Sequence, residues 1–165
     1  MTKLTVPYMS EFTLRKKSYG YAVYSKKFYS QGSPIMRFTG KIIHYKDLPA
    51  IENESDDRYV QVGPKSYMGP SGGQDDLVNH SCEPTAGLRF TNNEIMLIAI
   101  VDIKPGDEIT WDYSTTMDED DWEMDCECGS SRCRRRIRDF KHLPLALRHR
   151  YARLGIVPPY LLKFL

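Results

Sequence analysis

No stretch of this 165-residue chain reaches the run of about eighteen apolar residues that a membrane-spanning helix needs. The opening, Met1-Thr2-Lys3-Leu4-Thr5-Val6-Pro7, holds no long apolar run, so no secretory signal is expected. Internal repeats and low-complexity tracts are absent. So is any excess of one charge: 23 Lys and Arg stand against 22 Asp and Glu, which removes a whole-molecule pull towards nucleic acid or membrane. Cysteine is scarce, four residues in all. In a chain without a signal, that usage points to a reducing compartment, cytoplasm or nucleus, where thiols bind metal more often than they form disulfides.

What is present is aromatic and locally charged. Eleven Tyr are spread through a length that suits one domain burying roughly two-thirds of its unfolded surface. The charge is balanced only on average. Between Asp107 and Glu127 lie ten acidic residues and no Lys or Arg; between Arg132 and Arg153 lie nine Lys or Arg against the single Asp139. One reading is a solvated loop followed by a solvated helix face. The other is an acidic face for a basic substrate and a basic face for an acidic partner.

The periodic signals are mostly those of strands. The first dozen residues are weakly patterned and read as an arm. Tyr21-Ala22-Val23-Tyr24-Ser25 and Pro34-Ile35-Met36-Arg37-Phe38 read as strands on either side of a turn at Ser30–Ser33. Asp47 to Asp57 reads as a polar surface excursion. Arg58–Val62 and Lys65–Met68 form a predicted hairpin, and Asp75–Val78 a short helical turn. A second hairpin is expected from Ala86–Thr91 and Glu94–Val101 across Asn92-Asn93, its second strand apolar enough to be buried on both faces. Leu143, Leu147, Tyr151 and Leu154 then repeat at helical steps, with Pro144 suited to a first turn and Gly155 to a stop. The apolar end, Pro158 to Leu165, is expected to dock on the domain.

Three constellations carry chemistry. Asn79-His80-Ser81-Cys82 is a poor core sequence but rich in directed hydrogen-bonding groups and a metal-binding thiol. Glu108-Ile109-Thr110-Trp111-Asp112-Tyr113 follows a Lys-Pro-Gly-Asp turn. Cys126, Cys128 and Cys133 fall within eight residues, a segment too short for easy internal disulfides and one ligand short of a tetrahedral zinc site. In this order and spacing the three resemble the SET-domain protein-lysine methyltransferases, with their Asn-His-Ser-Cys and Glu-Leu-x-x-Asp-Tyr segments and Cys-x-Cys-x4-Cys post-SET tail. The resemblance covers about residues 15 to 136 and leaves the C-terminal helix outside.

The resemblance implies a mainly β SET fold of small curved sheets around a pseudo-knot, where the Asn79–Cys82 and Tyr113 segments cross. A zinc-bound post-SET segment and a C-terminal helix complete it. It divides the chain into a SET domain with a short N-terminal arm (1–114), an acidic linker and zinc-binding post-SET segment (115–136), and a helical extension packed on the domain (137–165). The implied activity is methyl transfer from S-adenosylmethionine to a lysine amine of a protein. Gly20, Tyr21, Ala22, Tyr67, Asn79 and His80 would hold the cofactor, Asn79 by its side chain near the methionine end and His80 mainly by its backbone near the adenine. Tyr59 and Trp111 would line the lysine channel, and the Tyr113 hydroxyl would align the amine. Glu108 and Asp112 would brace the strand and tail. Cys82, Cys126, Cys128 and Cys133 would bind Zn2+.

The implied substrate is a lysine in a basic context, as in histones and other basic proteins, with no membrane and no direct nucleic-acid contact required. Three departures stand out: Ala22 replaces the second glycine of a Gly-x-Gly turn, Lys41 the Glu of Thr-Gly-Glu, and Asp76-Leu77-Val78 an Arg-Phe-Ile that brings a basic residue to the cofactor carboxylate. Ala22 and Asp76 keep a rival reading open, a catalytically weak SET-like module that binds a basic protein.

Overall fold

The computed structural model describes residues 11–50, 57–91 and 94–165. Twelve short strands are found among them, set in three two-stranded and two three-stranded sheets. Strand β1 (Phe12–Lys17) and β2 (Gly20–Ser25) form an antiparallel hairpin. No strand was expected here; Phe12 is the last residue of the stretch read as an arm. The Arg and Lys of β1 sit on an exposed edge strand, where charge hides the apolar period, and Arg15 stacks 4.0 Å over the ring of Tyr24.

The central sheet is β3 (Pro34–Phe38), β9 (Ile95–Ala99) and β8 (Ala86–Phe90), all antiparallel, with β9 in the middle. The middle place explains its composition: a strand covered on both faces and paired on both edges must be apolar almost throughout. Leu88 and Leu97 are fully buried there, with Val23, Phe38, Ile103, Ile109 and Trp111 around them. The Asn92-Asn93 turn of this hairpin lies outside the described residues, as does most of the 47–57 excursion. A second sheet orders β4 (Ile42–His44), β6 (Ser66–Met68) and β5 (Val60–Gly63).

Two remote segments then cross. The two-residue strands β7 (Asn79–His80) and β10 (Thr110–Trp111) pair in parallel, Thr110 opposite Asn79 and Trp111 opposite His80, and Ser81 N–H donates to the Trp111 carbonyl at 3.1 Å. Parallel pairing cannot come from a tight turn. Here the intervening β8–β9 hairpin carries the chain around, and the two chemically loaded segments are brought side by side.

Strands β11 (Glu123–Asp125) and β12 (Arg136–Arg138) form a hairpin that encloses the cysteine tail. No strand was foreseen there, since Ile137 is its one fully buried residue and the rest are mostly charged. The two charge blocks meet each other. Arg136 pairs with Glu123 and Asp125, Arg138 with Glu123, Lys141 with Asp120, and Lys163 with Asp118. Asp139, almost wholly buried, accepts from the backbone N–H groups of Glu119 and Asp120. Exposed ion pairs contribute little singly. Their arrangement is informative nonetheless: much of the acidic block holds the C-terminal part of this chain.

Helix α1 (Leu145–Arg153) starts after Pro144 and ends at Gly155, whose φ of +69° is the left-handed conformation that glycine adopts without strain. Beyond it Ile156 packs against β8 at Gly87, where an added Cβ would come within 2.5 Å of the isoleucine side chain. Phe140, Leu143, Tyr151, Ile156 and Leu161 form a separate apolar cluster with Ile100. The last residues dock through a 3-10 turn, Pro159–Phe164.

Candidate active site

The crossing of β7 and β10 sets the geometry. Tyr113 follows β10 after Asp112, and its backbone N–H donates to His80 Nδ1 at 3.1 Å. The His80 ring is thereby held as an acceptor on one nitrogen, while Nε2 lies 3.4 Å from Cys82 Sγ. Burial, with a smaller contribution from nearby Arg134, lowers the His80 pKa to about 4. The imidazole is neutral, so its 3.6 Å approach to the Asp112 carboxylate is a polar contact rather than an ion pair. This side chain is enclosed and engaged; an acid–base role would need it free.

The Tyr113 hydroxyl donates to the Val78 carbonyl at 3.1 Å. Burial pushes the phenol well above its ordinary range, so it stays protonated, with oxygen lone pairs as acceptors. Beside it opens a cavity of about 390 Å3, lined by Tyr59, Tyr67, Trp111, Tyr113, Phe38 and Met117 among others. Trp111 meets Phe38 edge-on at 6.1 Å and tilts against Tyr113 at 4.8 Å. The volume is near the lower end of the range for small-molecule sites. The aromatic part of this lining suits a largely apolar chain, and Asp57, Arg58, Asp75, Asp76, Glu119 and Glu123 add charged groups to the wall.

Of the residues expected near a cofactor, Tyr67 lines this same cavity, whereas Gly20, Tyr21, Ala22, Asn79 and His80 do not. Those five lie on β2 and β7, and Asn79 joins the strands: its Nδ2 donates to the Tyr21 carbonyl at 2.9 Å and approaches Glu108 Oε1 at 3.4 Å. With both amide hydrogens engaged, Asn79 can offer a ligand its carbonyl oxygen, an acceptor. Glu108 is held by Lys17 at 2.6 Å. Tyr21, whose backbone carbonyl takes the Asn79 bond, is half exposed.

Two of the departures noted in the sequence, Ala22 and Asp76, have local explanations, and nothing in the structure explains Lys41. Gly20 has φ of +129°, whereas Ala22 is not among the positive-φ residues and its methyl is fully buried. The second position of the turn therefore has no need of glycine. Gly40 does: an added Cβ would stand 2.0 Å from the Gly69 carbonyl. Asp76 accepts from the backbone N–H groups of Ser71 at 3.0 Å and Gly72 at 2.7 Å, so its carboxylate pins the 71–73 loop.

The four thiols converge. Cys82, Cys126, Cys128 and Cys133 place their sulfur atoms within 4.8 Å of one another. A tetrahedral ion at about 2.3 Å from each thiolate would separate the sulfurs by about 3.8 Å. Cys82 and Cys126 are 3.8 Å apart, Cys126 and Cys133 3.7 Å. The donor set therefore fits a metal ion with soft, four-coordinate preference. Arg134 carries the connection inward. Its backbone N–H approaches Cys82 Sγ at 3.3 Å, and its guanidinium grips Asp112 with two bonds of 2.7 Å. Tyr151 of α1 donates to the same carboxylate at 3.0 Å. Asp112, the neighbour of Tyr113, is thus a buried hub for tail and helix. Arg134 was not singled out in the sequence; its position directly after Cys133 was the available signal.

A family model described as SET domain matches residues 20–114, more than half of the chain. Among curated proteins, the chain is 27% identical over 136 residues to the putative histone-lysine N-methyltransferase 1 of Plasmodium falciparum (isolate 3D7), covering 72% of this chain and 2% of that protein. It is 26% identical over 142 residues to the histone-lysine N-methyltransferase TRX1 of Oryza sativa subsp. japonica, covering 76% and 13%. The chain spans only a small part of these relatives' length. Among solved structures, KRYPTONITE in complex with mCHH DNA, H3(1-15) peptide and SAH superposes with a TM-score of 0.60 at 23% identity, over 77% of this chain and 30% of that one. At that identity the likeness concerns the fold.

Proposed function

This chain belongs to the SET-domain family, and we propose that it transfers a methyl group from S-adenosylmethionine to the side-chain amine of lysine in a protein. The observation that carries the reading is the Tyr113 hydroxyl, oriented by the Val78 carbonyl at the wall of a cavity lined in part by aromatic rings. The names of the relatives add support, and a histone-like tail is the substrate class we propose.

S-adenosylmethionine, when bound, supplies an electrophilic methyl group on a sulfonium. The residues of the chain then have three tasks. Gly20, Tyr21, Ala22, Asn79 and His80 bind it on the β2–β7 side, with the Asn79 carbonyl suited to an ammonium donor and Tyr21 to stacking; Tyr67 reaches the site from the cavity wall. Tyr59, Trp111 and Phe38 strip water from the lysine stem, which disfavours the ammonium and lowers the amine pKa from about 10.4. Tyr113 accepts an N–H from the amine and turns its lone pair towards the methyl group, since in-line displacement demands mainly alignment and desolvation.

Zn2+ is the ion that best suits four thiolates at these separations. Held by Cys82, Cys126, Cys128 and Cys133, it would clip the tail over the cofactor side and keep Arg134 on Asp112. The rival reading, a weak binding module, rested on Ala22 and Asp76; Ala22 sits where no glycine is needed, and Asp76 holds the loop at Ser71 and Gly72 in place of a basic residue for the cofactor carboxylate. A reducing compartment, nucleus or cytoplasm, is consistent with free thiols. Among the described residues no helix is long and apolar enough to cross a membrane.

The test is incubation with labelled S-adenosylmethionine and a panel of basic proteins, core histones included. Tyr113→Phe should fold and bind cofactor yet lose roughly a hundredfold or more in rate. Undiminished transfer by this variant would assign the alignment to another residue.

A further inference from the structure

The segment after α1 reaches the cavity by way of one side chain. Tyr160 lies in the Pro159–Phe164 turn, packed on the cluster of Phe140, Leu143 and Leu161. Its hydroxyl stands 2.6 Å from the Thr116 carbonyl and 2.9 Å from the Gln61 carbonyl. These carbonyls belong to two separate segments that wall the cavity. Gln61 follows Tyr59 and Val60, which line the cavity from the β5 side; Thr116 and Met117 line it from the segment after Tyr113. Burial, reinforced by Asp118, keeps the phenol protonated, so one O–H is shared between two acceptors as a three-centre bond.

The Gln61 side chain strengthens the same seam. It is almost wholly buried, accepts from Asp118 N–H at 2.8 Å and donates to the Gly63 carbonyl at 3.2 Å. The walls are thus laced together at two points, both of which draw on residues beyond the matched 20–114 segment.

We propose that Tyr160 is a positioning residue that sets the separation of the two walls of the lysine cavity, and with it the fit of the substrate stem. The proposal rests on the methyltransferase reading above. Without the hydroxyl, two buried carbonyl oxygens face an apolar ring edge, and the walls drift apart to rehydrate them. A shift of a fraction of an ångström matters in a site whose rate depends on alignment.

The experiment compares Tyr160→Phe with Leu161→Ala, which loosens the same turn without touching either wall. Hydrogen exchange of the amides at 61–63 and 116–119, cofactor affinity, and kcat and KM for a histone-tail peptide are read in each. Tyr160→Phe should speed exchange at Asp118 and raise KM about fivefold, the loss of one neutral hydrogen bond, with cofactor affinity unchanged. Leu161→Ala should lower the melting temperature more but move KM less. Unchanged exchange or unchanged KM in Tyr160→Phe overturns the proposal, as does a KM that merely follows stability across both variants. If the unaltered protein transfers no methyl group at all, the methyltransferase reading fails instead.

Discussion

Asn79 and Trp111 show how much a single side chain's surroundings decide. Asn79 is tied to Tyr21 and Glu108 through its amide nitrogen, so replacing it by Ala removes both a strand connection and a ligand acceptor. Asn79→Ala should weaken S-adenosylmethionine binding by about tenfold, in line with a hydrogen bond to a charged group, as isothermal calorimetry would record. Trp111 lines the cavity, wedged between Phe38 and Tyr113. Lacking the phenol hydroxyl, an indole cannot hold a water as Tyr does, which favours repeated methylation; its bulk opposes it. Steric exclusion is steep at short range, so size should win. The expected product is mainly monomethyl-lysine, and Trp111→Phe should shift it towards di- and trimethyl-lysine in mass spectra of a saturated reaction. Abundant trimethyl product from the unaltered protein would contradict this.

At the scale of elements, long apolar or alternating runs were legible and charged ones were not. The β2, β3, β5–β6 and β8–β9 strands and α1 all announced themselves by period and punctuation. By contrast, β1, β11 and β12 are short edge or hairpin strands rich in Arg, Lys, Glu and Asp. Their stability comes from neighbours, such as cross-strand pairs of Glu123 with Arg138 and Asp125 with Arg136, rather than from an inner apolar face. The docking of the last segment on β8 is testable at Gly87. An alanine there must displace Ile156, whose Cβ would be 2.9 Å away and cannot swing aside. Gly87→Ala should cost about 1–3 kcal/mol in denaturant unfolding, and Ile156→Ala in the same chain should recover part of it. Simple additivity of the two losses would mean that the residues do not meet.

For the whole molecule, the thiol cluster is the joint. It unites the Asn-His-Ser-Cys segment, the tail and, through Arg134 and Asp112, helix α1. Purified protein should carry one zinc per chain by elemental analysis, and Ser at any of the four cysteines should lower both zinc content and melting temperature. Because each thiol must shed a proton to bind, loading should release protons and tighten as pH rises. Active protein free of zinc would refute the assignment.

The sequence by itself determined the chemistry: which residue types occur at Asn79–Cys82, Glu108–Tyr113 and Cys126–Cys133, the strand periods between them, and a balanced charge. Such features are local, or repeat at short range, and so survive in one dimension. Tertiary structure alone decided what those groups face. The parallel pairing of β7 with β10 put Tyr113 over Val78, and the Asp76 carboxylate turned out to pin a loop. Several residues of the acidic block paired with basic residues of the same chain, and Tyr160 came to join two segments that line the cavity. Each of these depends on contacts between segments tens of residues apart. Their energies come from burial and hydrogen-bond geometry, which no periodicity along the chain encodes.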